Sequence, residues 1–246
     1  GVGRESCLPK TAWPPTWLLV AATVMLGSCT KSNETTFIYE KLFTARVLDP
    51  YTCYFVDDDG KKYLCLTSME TINSAMNRPL LNKERVYARI LGSSKAVSDE
   101  YVSGFDLGWM MLPVSEKITG MPADGDTSAA GEDALTVQVC ELGGGYINLM
   151  VQYYSDGRTE HKFTLYRIED KTHPEYKAGY GLYELRHDAR GDNGRGILSN
   201  VLCFKMDASE YDKGAIILIP DGETGNTKVE VEANRDMQRV VDIINE

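Results

Sequence analysis

From Phe37 to Leu112 apolar and polar positions alternate in short runs bounded by turn residues, the period-two pattern of half-buried strands. "FIYEKLFTARVL" opens the series, and "CYFVDDDGKKYLC" reads as two strands about a turn with Gly60 where positive φ is needed. "ERVYARILG" then sets Val86, Ala88 and Ile90 against Tyr87, Arg89 and Leu91, and "YVSGFDLGWMML" closes the set. Between the third and fourth strands, "SMETINSAMNRPLLNK" predicts a short helix that stops before Pro79, because the residue ahead of a proline is pushed out of helical backbone. If Asp57 pairs with Lys61, Cys53 falls opposite Cys65 at a hydrogen-bonded pair, the wide kind with Cα atoms about 5.5 Å apart. The two are then either a strained cross-strand disulfide or two buried thiols.

Five strands with a helix after the third follow the order of a small OB-type barrel, which we assign to residues 37–112. Residues 113–134, rich in Gly, Pro, Ser, Ala and acid without an apolar period, read as a linker. Residues 135–246 resume the strand pattern with "LTVQVCEL", "YINLMVQYY", "HKFTLYRI", "GLYELRHD", "SNVLCFKMD", "GAIILIP" and "TKVEVEA", divided by Gly and Asp turns. Such a series predicts an antiparallel β-sandwich. In "YINLMVQYY" the residues Ile147, Leu149, Val151 and Tyr153 share one face, and Asn148 and Gln152 share a face expected to be wet. At the end, Met237, Val240, Val241 and Ile244 stand at i, i+3, i+4 and i+7, which predicts an amphipathic helix capped by Asn234 and packed on the sandwich. The fold class is therefore mainly β.

The amino-terminal region follows neither period. Arg4 and Lys10 precede an apolar run from Trp17 to Gly27, too short to span a bilayer, which takes about 20 residues. A basic start, a short apolar centre and small residues at its end mark residues 1–28 as a secretory leader. Leu26-Gly27-Ser28-Cys29 resembles a bacterial lipobox, which implies that Cys29 is acylated and becomes the first residue of a membrane-anchored chain. Residues 29–36 are polar and read as a tether. Thr30 carries no signal for inner-membrane retention and the tether lacks an acidic run, so the expected location is the periplasmic face of the outer membrane.

A formal charge of −10 and a pI near 4.9, with no basic cluster to offset them, exclude nucleic acid as a partner. Cys53, Cys65, Cys140 and Cys203 match no zinc spacing, and His161, His173 and His187 meet at a metal only if the fold brings them together. Asp57-Asp58-Asp59-Gly60 fails as a calcium loop: with Gly60 sixth, the first and twelfth positions fall on Phe55 and Leu66. There is no nucleophile elbow, phosphate loop, Cys-His signature or cofactor motif, and a carboxylate-based hydrolase stays open only because two acids can converge in space. The candidate binding surface is Arg186, His187 and Asp188 at the charged end of a strand, with Trp109 as an aromatic platform. Tyr54, Tyr63 and Tyr87 could stack on sugars in the same way.

The lipobox, "RVYARILG", "YINLMVQYY", "HKFTLYRI" and "YELRHDARGD" together resemble the NigD-like lipoproteins of Bacteroidetes. The resemblance implies an OB-type domain followed by a β-sandwich, a cell-envelope location, and no established biochemical activity. It leads us to expect a lipid-anchored, non-enzymatic envelope protein that binds a protein, peptide or glycan. The alternative is a structural or assembly accessory, with a link to bacteriocin production or immunity carried by the family name alone.

Overall fold

A computed structural model describes residues 36–93, 97–207, 212–234 and 236–246; Cys29 and the leader lie outside them. The first lobe is a closed barrel of five strands, β1 (Thr36–Asp49), β2 (Thr52–Asp57), β3 (Lys62–Cys65), β4 (Arg85–Ser93) and β5 (Ser103–Met111), in the order β1-β2-β3-β5-β4. Closure depends on the length of β1: its first half pairs with β4 and its second half with β2, so one strand joins both edges of the sheet. Phe43, Phe55, Tyr63, Ile90, Phe105 and Leu107 fill the interior. Helix α1 (Met69–Met76) adds Met69, Ile72 and Met76 to that core. Ser68 caps it by accepting from the Thr71 amide at 3.1 Å, and Asn77, at φ 54°, ends it in left-handed backbone two residues before Pro79.

The second lobe is a sandwich of two sheets. One has the order β14 (Lys228–Glu232), β13 (Gly214–Leu218), β11 (Tyr180–Asp188), β10 (Lys162–Arg167), β7 (Thr119–Gly120). The other runs β6 (Val114–Lys117), β12 (Gly196–Lys205), β9 (Tyr146–Ser155), β8 (Thr136–Gly143). Ile147, Leu149, Val151 and Tyr153 point into the core against Phe163, Leu165 and Leu185, as their alternation predicts. The two sheets contain antiparallel pairs and also three parallel ones, β6 with β12, β7 with β10 and β11 with β13.

Residues 113–134 are not a plain linker. They supply the edge strands β6 and β7 and a short 3-10 turn (Ser128–Ala130) that packs on β11. Two- and four-residue strands are too short to show a period, and β6 is exposed on most of its length, so no alternation marks it.

The expected position of the last helix also needs correction. Helix α2 (Met237–Asn245) inserts Met237 into the sandwich core, but Val240, Ile243 and Ile244 pack on the outside of the barrel against Tyr54, Val56 and Tyr101. Arg46 donates to the Ile244 carbonyl, and Lys83 donates to Asn245 Oδ1 at 3.0 Å. Amphipathic spacing defines a face but not the surface that receives it. Asn234 is not the cap: Asp236 holds that position, and Asn234 Oδ1 accepts from the Asp236 amide in a turn ahead of the helix.

Arg85, ion-paired within the barrel, reaches across to the sandwich at a second point. Arg85, at the start of β4, donates two bonds of 2.6 Å to the Asp58 carboxylate and one of 3.2 Å to Asn148 Oδ1 on β9. Its guanidinium lies 5.2 Å from the Tyr146 ring centroid and is fully enclosed. Burial works against its charge, yet Asp58 beside it holds Arg85 more firmly protonated than usual. The face of β9 expected to be wet is therefore dry at Asn148, because the barrel covers it. A Cβ at Gly143 or Gly144 would stand within 2.4 or 2.7 Å of the Asp58 carboxylate, so only glycine lets the β8–β9 turn come this close.

Candidate functional site

The acidic run at the first hairpin is absorbed by structure. Asp57 Oδ1 accepts from the Asp59 and Lys61 amides at 3.0 and 2.9 Å, and Oδ2 from Lys41 at 2.6 Å. Gly60, at φ 81°, completes the turn, and Asp58 is the partner of Arg85. The hairpin register places Cys53 opposite Cys65, as the Asp57–Lys61 pairing requires. Both thiols are free; the hydrogen bond to Cys53, and then burial, push the Cys65 thiol up. Burial raises Cys140 to about 12 and Cys203 to about 11, so neither offers a thiolate at neutral pH.

The four residues of the expected binding surface do not meet on one surface. His187 is inside the sandwich, 2% exposed, with its ring parallel to that of Phe163 at 4.9 Å. Arg186 points to the opposite face of β11, where it bonds Glu184 and Asp221 at 2.8 and 2.6 Å. Asp188 accepts from the Arg190 amide, and Trp109 packs on Tyr87 at 5.4 Å in the barrel. Tyr54 lies under α2 and Tyr63 in the barrel core, so neither forms a shelf for a sugar.

The fold instead assembles a chain of polar groups that spacing does not reveal. His161, just ahead of β10, sits beside His187 because Phe163 pairs with His187 across β10 and β11. His161 Nδ1 lies 2.7 Å from His187 Nε2, and His161 Nε2 lies 2.8 Å from Asp192 Oδ2. Asp192 returns from the turn after β11 and also accepts from Ser155 Oγ at 2.7 Å and from the Asp156 and Gly194 amides. A Cβ at Gly194 would meet the Asp156 nitrogen at 1.9 Å, which is why the turn carries glycine there.

Donor counting fixes the protons. His187 Nδ1 faces the carbonyls of Asp133 and Ala134, which only accept, so it carries hydrogen and Nε2 is an acceptor. His161 Nδ1 is then the donor to His187, and His161 Nε2 faces the Asp192 carboxylate, which also accepts from Ser155 and two amides. Burial, reinforced by the neighbouring His161, pushes His187 down. Burial opposes the charge of Asp192, but its bonds from Ser155, His161 and the amides hold it well below the usual carboxylate range. All four ring nitrogens are engaged, and among the described residues no group of three or more His, Cys, Asp or Glu could hold a metal ion.

Beside this chain a cleft of about 750 Å³ opens between the lobes. The barrel side supplies Met110, Met111, Met76 of α1 and Arg78 just after it; the sandwich side supplies Tyr153, His161, Phe163, Ser199 and Asn200. Among the described residues Arg158, Lys162 and Arg190 line it without an ion pair, whereas Arg78 is tied to Glu84. Arg190 is held at φ 50°, left-handed backbone that costs a non-glycine residue about 1 kcal/mol. The sequence marks 155–157 and 191–194 as turns, but only the strand register brings those turns to one place.

Residues 117–232 match the NigD-like C-terminal beta sandwich domain. A solved protein of unknown function from Bacteroides vulgatus is 18% identical, with a TM-score of 0.63 over 80% of this chain and 90% of that one. A candidate toxin-related protein from Parabacteroides distasonis is 16% identical, also at 0.63, over 85% of this chain and 100% of the other. A candidate lipoprotein from Bacteroides fragilis is 13% identical at 0.51, over 80% and 98%. These likenesses speak for the shared fold. No curated protein matches the sequence. The sandwich lobe is thus a NigD-like C-terminal beta sandwich domain, with the barrel placed ahead of it.

Proposed function

We propose that this chain is a lipid-anchored protein of the bacterial cell envelope that binds a protein, peptide or glycan partner in the cleft between its lobes and performs no chemistry of its own. The observation that carries the binding is the cleft itself, open between two fastened lobes and lined by three basic side chains without acidic partners among the described residues. A concave site with an apolar floor and a few convergent polar groups is the usual form of a binding site. The absence of chemistry is supported by what the reactive groups already do: His161, His187 and Asp192 are spent on one another, and Cys140 and Cys203 are held protonated.

The anchor is supported by Leu26-Gly27-Ser28-Cys29; separately, no helix among the described residues is long and apolar enough to cross a membrane. On this reading the protein faces the periplasm from the outer membrane. A structural accessory whose carboxy-terminal helix docks elsewhere is less well supported, because the apolar face of α2 is already covered by the barrel. The test is metabolic labelling with an alkyne fatty acid in a Bacteroides host, followed by membrane fractionation. The full chain should take the label and sediment with the outer membrane, and Cys29→Ala should do neither. A labelled Cys29→Ala protein, or an unmodified thiol at Cys29 in the native chain, would contradict the anchor.

A further inference from the structure

The edge strands stop short of covering the sandwich. β6 pairs only with Leu202–Lys205 of β12, and β7 only with Tyr166 and Arg167 of β10. Lys162–Leu165 of β10 thus has a strand neighbour on one side alone among the described residues, and this bare stretch borders the cleft. The direction of its backbone groups follows from two bonds. Ile168 donates to the Leu182 carbonyl across β11, and Met121 donates to the Arg167 carbonyl from the β7 side. Antiparallel bonding alternates, so Phe163 and Leu165 direct their N–H and C=O groups away from β11, along the line that β7 begins and does not continue. An uncovered strand edge is a template for another strand.

The side chains around that edge define what kind of strand. Arg158, Lys162 and Arg190 have no ion pair among the described residues, and the acids on the same cleft, Glu116 and Glu160, leave a local excess of positive charge in a chain of net charge −10. Desolvating three cations without partners is unfavourable, and carboxylates at alternate positions of a bound strand would meet them. The floor of Tyr153 and Phe163 offers apolar contact for the residues between.

We propose that the cleft binds an extended acidic peptide segment, which continues the line of β7 by adding as a strand to the bare edge of β10 at Phe163 and Leu165. This rests on the reading of the cleft as a partner site and names the class of partner. Main-chain bonds supply the affinity in this mode and side-chain pockets the selectivity.

The test pans a random peptide display library against the detergent-solubilised full chain, then measures the selected peptides by fluorescence anisotropy. Acidic peptides rich in Val, Ile and Thr should be enriched. Each backbone N-methylation that removes a strand bond should weaken binding about fivefold, as expected for a hydrogen bond worth about 1 kcal/mol. Arg158→Glu, Lys162→Glu and Arg190→Glu together should weaken binding at least about tenfold, the sum of three exposed charge contacts, with an unchanged melting temperature as the control for folding. Selected peptides that are not acidic, or that tolerate N-methylation at every position, would overturn strand addition. If no peptide is selected but oligogalacturonate binds and loses affinity in the triple variant, strand addition fails and the partner cleft stands. If neither binds, both fail.

Discussion

Replacing Arg85 by Met removes the guanidinium that pairs with Asp58 inside the barrel and bonds Asn148 of the sandwich, while keeping most of the side chain's length. Breaking a buried pair by deleting one partner costs about 3–5 kcal/mol, because the other charge is left without compensation. Two features of this site lower that figure. The Asp58 side chain is 29% exposed, so water shares the stranded carboxylate, and Arg85 Nε has no hydrogen-bond partner, so the native state already carries part of the penalty. We expect a loss of about 2 kcal/mol, which at a urea dependence of about 2 kcal/mol/M is a midpoint shift of about 1 M. Asp58→Ala in the Arg85→Met background removes the stranded carboxylate. The double variant should therefore be less destabilised than the two single losses predict, with a coupling of about 1 kcal/mol or more. Urea unfolding followed by tryptophan fluorescence reads all four proteins. A loss in Arg85→Met below about 0.5 kcal/mol, or strict additivity, would refute the claim that Arg85 and Asp58 act as a coupled pair where the barrel meets the sandwich.

Ile244→Ala empties the contact of α2 with Tyr54 and Val56; at about 2 kcal/mol, the low end for a buried isoleucine near a helix end, it should lower the melting temperature by about 4–8 °C, and an unchanged value would mean that α2 is not seated on the barrel. Acidification should weaken the fold in two stages. His187 is depressed, so its contribution is complete above the ordinary histidine value near 6.5 and declines as pH falls toward its folded value; that of Asp192 is complete above the ordinary carboxylate range and is lost only at more acidic pH. A urea midpoint that rises between pH 7 and pH 5 would contradict this assignment. Differential alkylation with mass spectrometry should find Cys53 and Cys65 as thiols that react only after unfolding, whereas a native mass lower by two hydrogens would show the cross-strand disulfide.

Most of the strands were legible in the sequence because alternation and turn residues report local backbone and burial together. Gly60 and the Asp57–Lys61 pairing even set the hairpin register, down to Cys53 opposite Cys65. What failed was whatever depends on which surfaces meet. Asn148 reads as a solvent-facing polar residue, and only the approach of the barrel makes it a buried partner of Arg85. The period of α2 marks Val240 and Ile244 as covered without saying that the barrel covers them. The histidine and aspartate chain illustrates the same limit. His161 and His187 are 26 residues apart, joined by strands whose register depends on the long connection between them, so no local spacing signals that their rings touch. Edge strands as short as β7 have no period, and the cleft they leave open was for that reason invisible.

Amide hydrogen exchange of the full chain, with and without a selected acidic peptide, tests the partner cleft most directly. The peptide should slow exchange at Phe163 and Leu165 on the bare edge of β10 and leave β13 and β14 unchanged. Protection confined to surfaces outside the cleft would contradict the assignment.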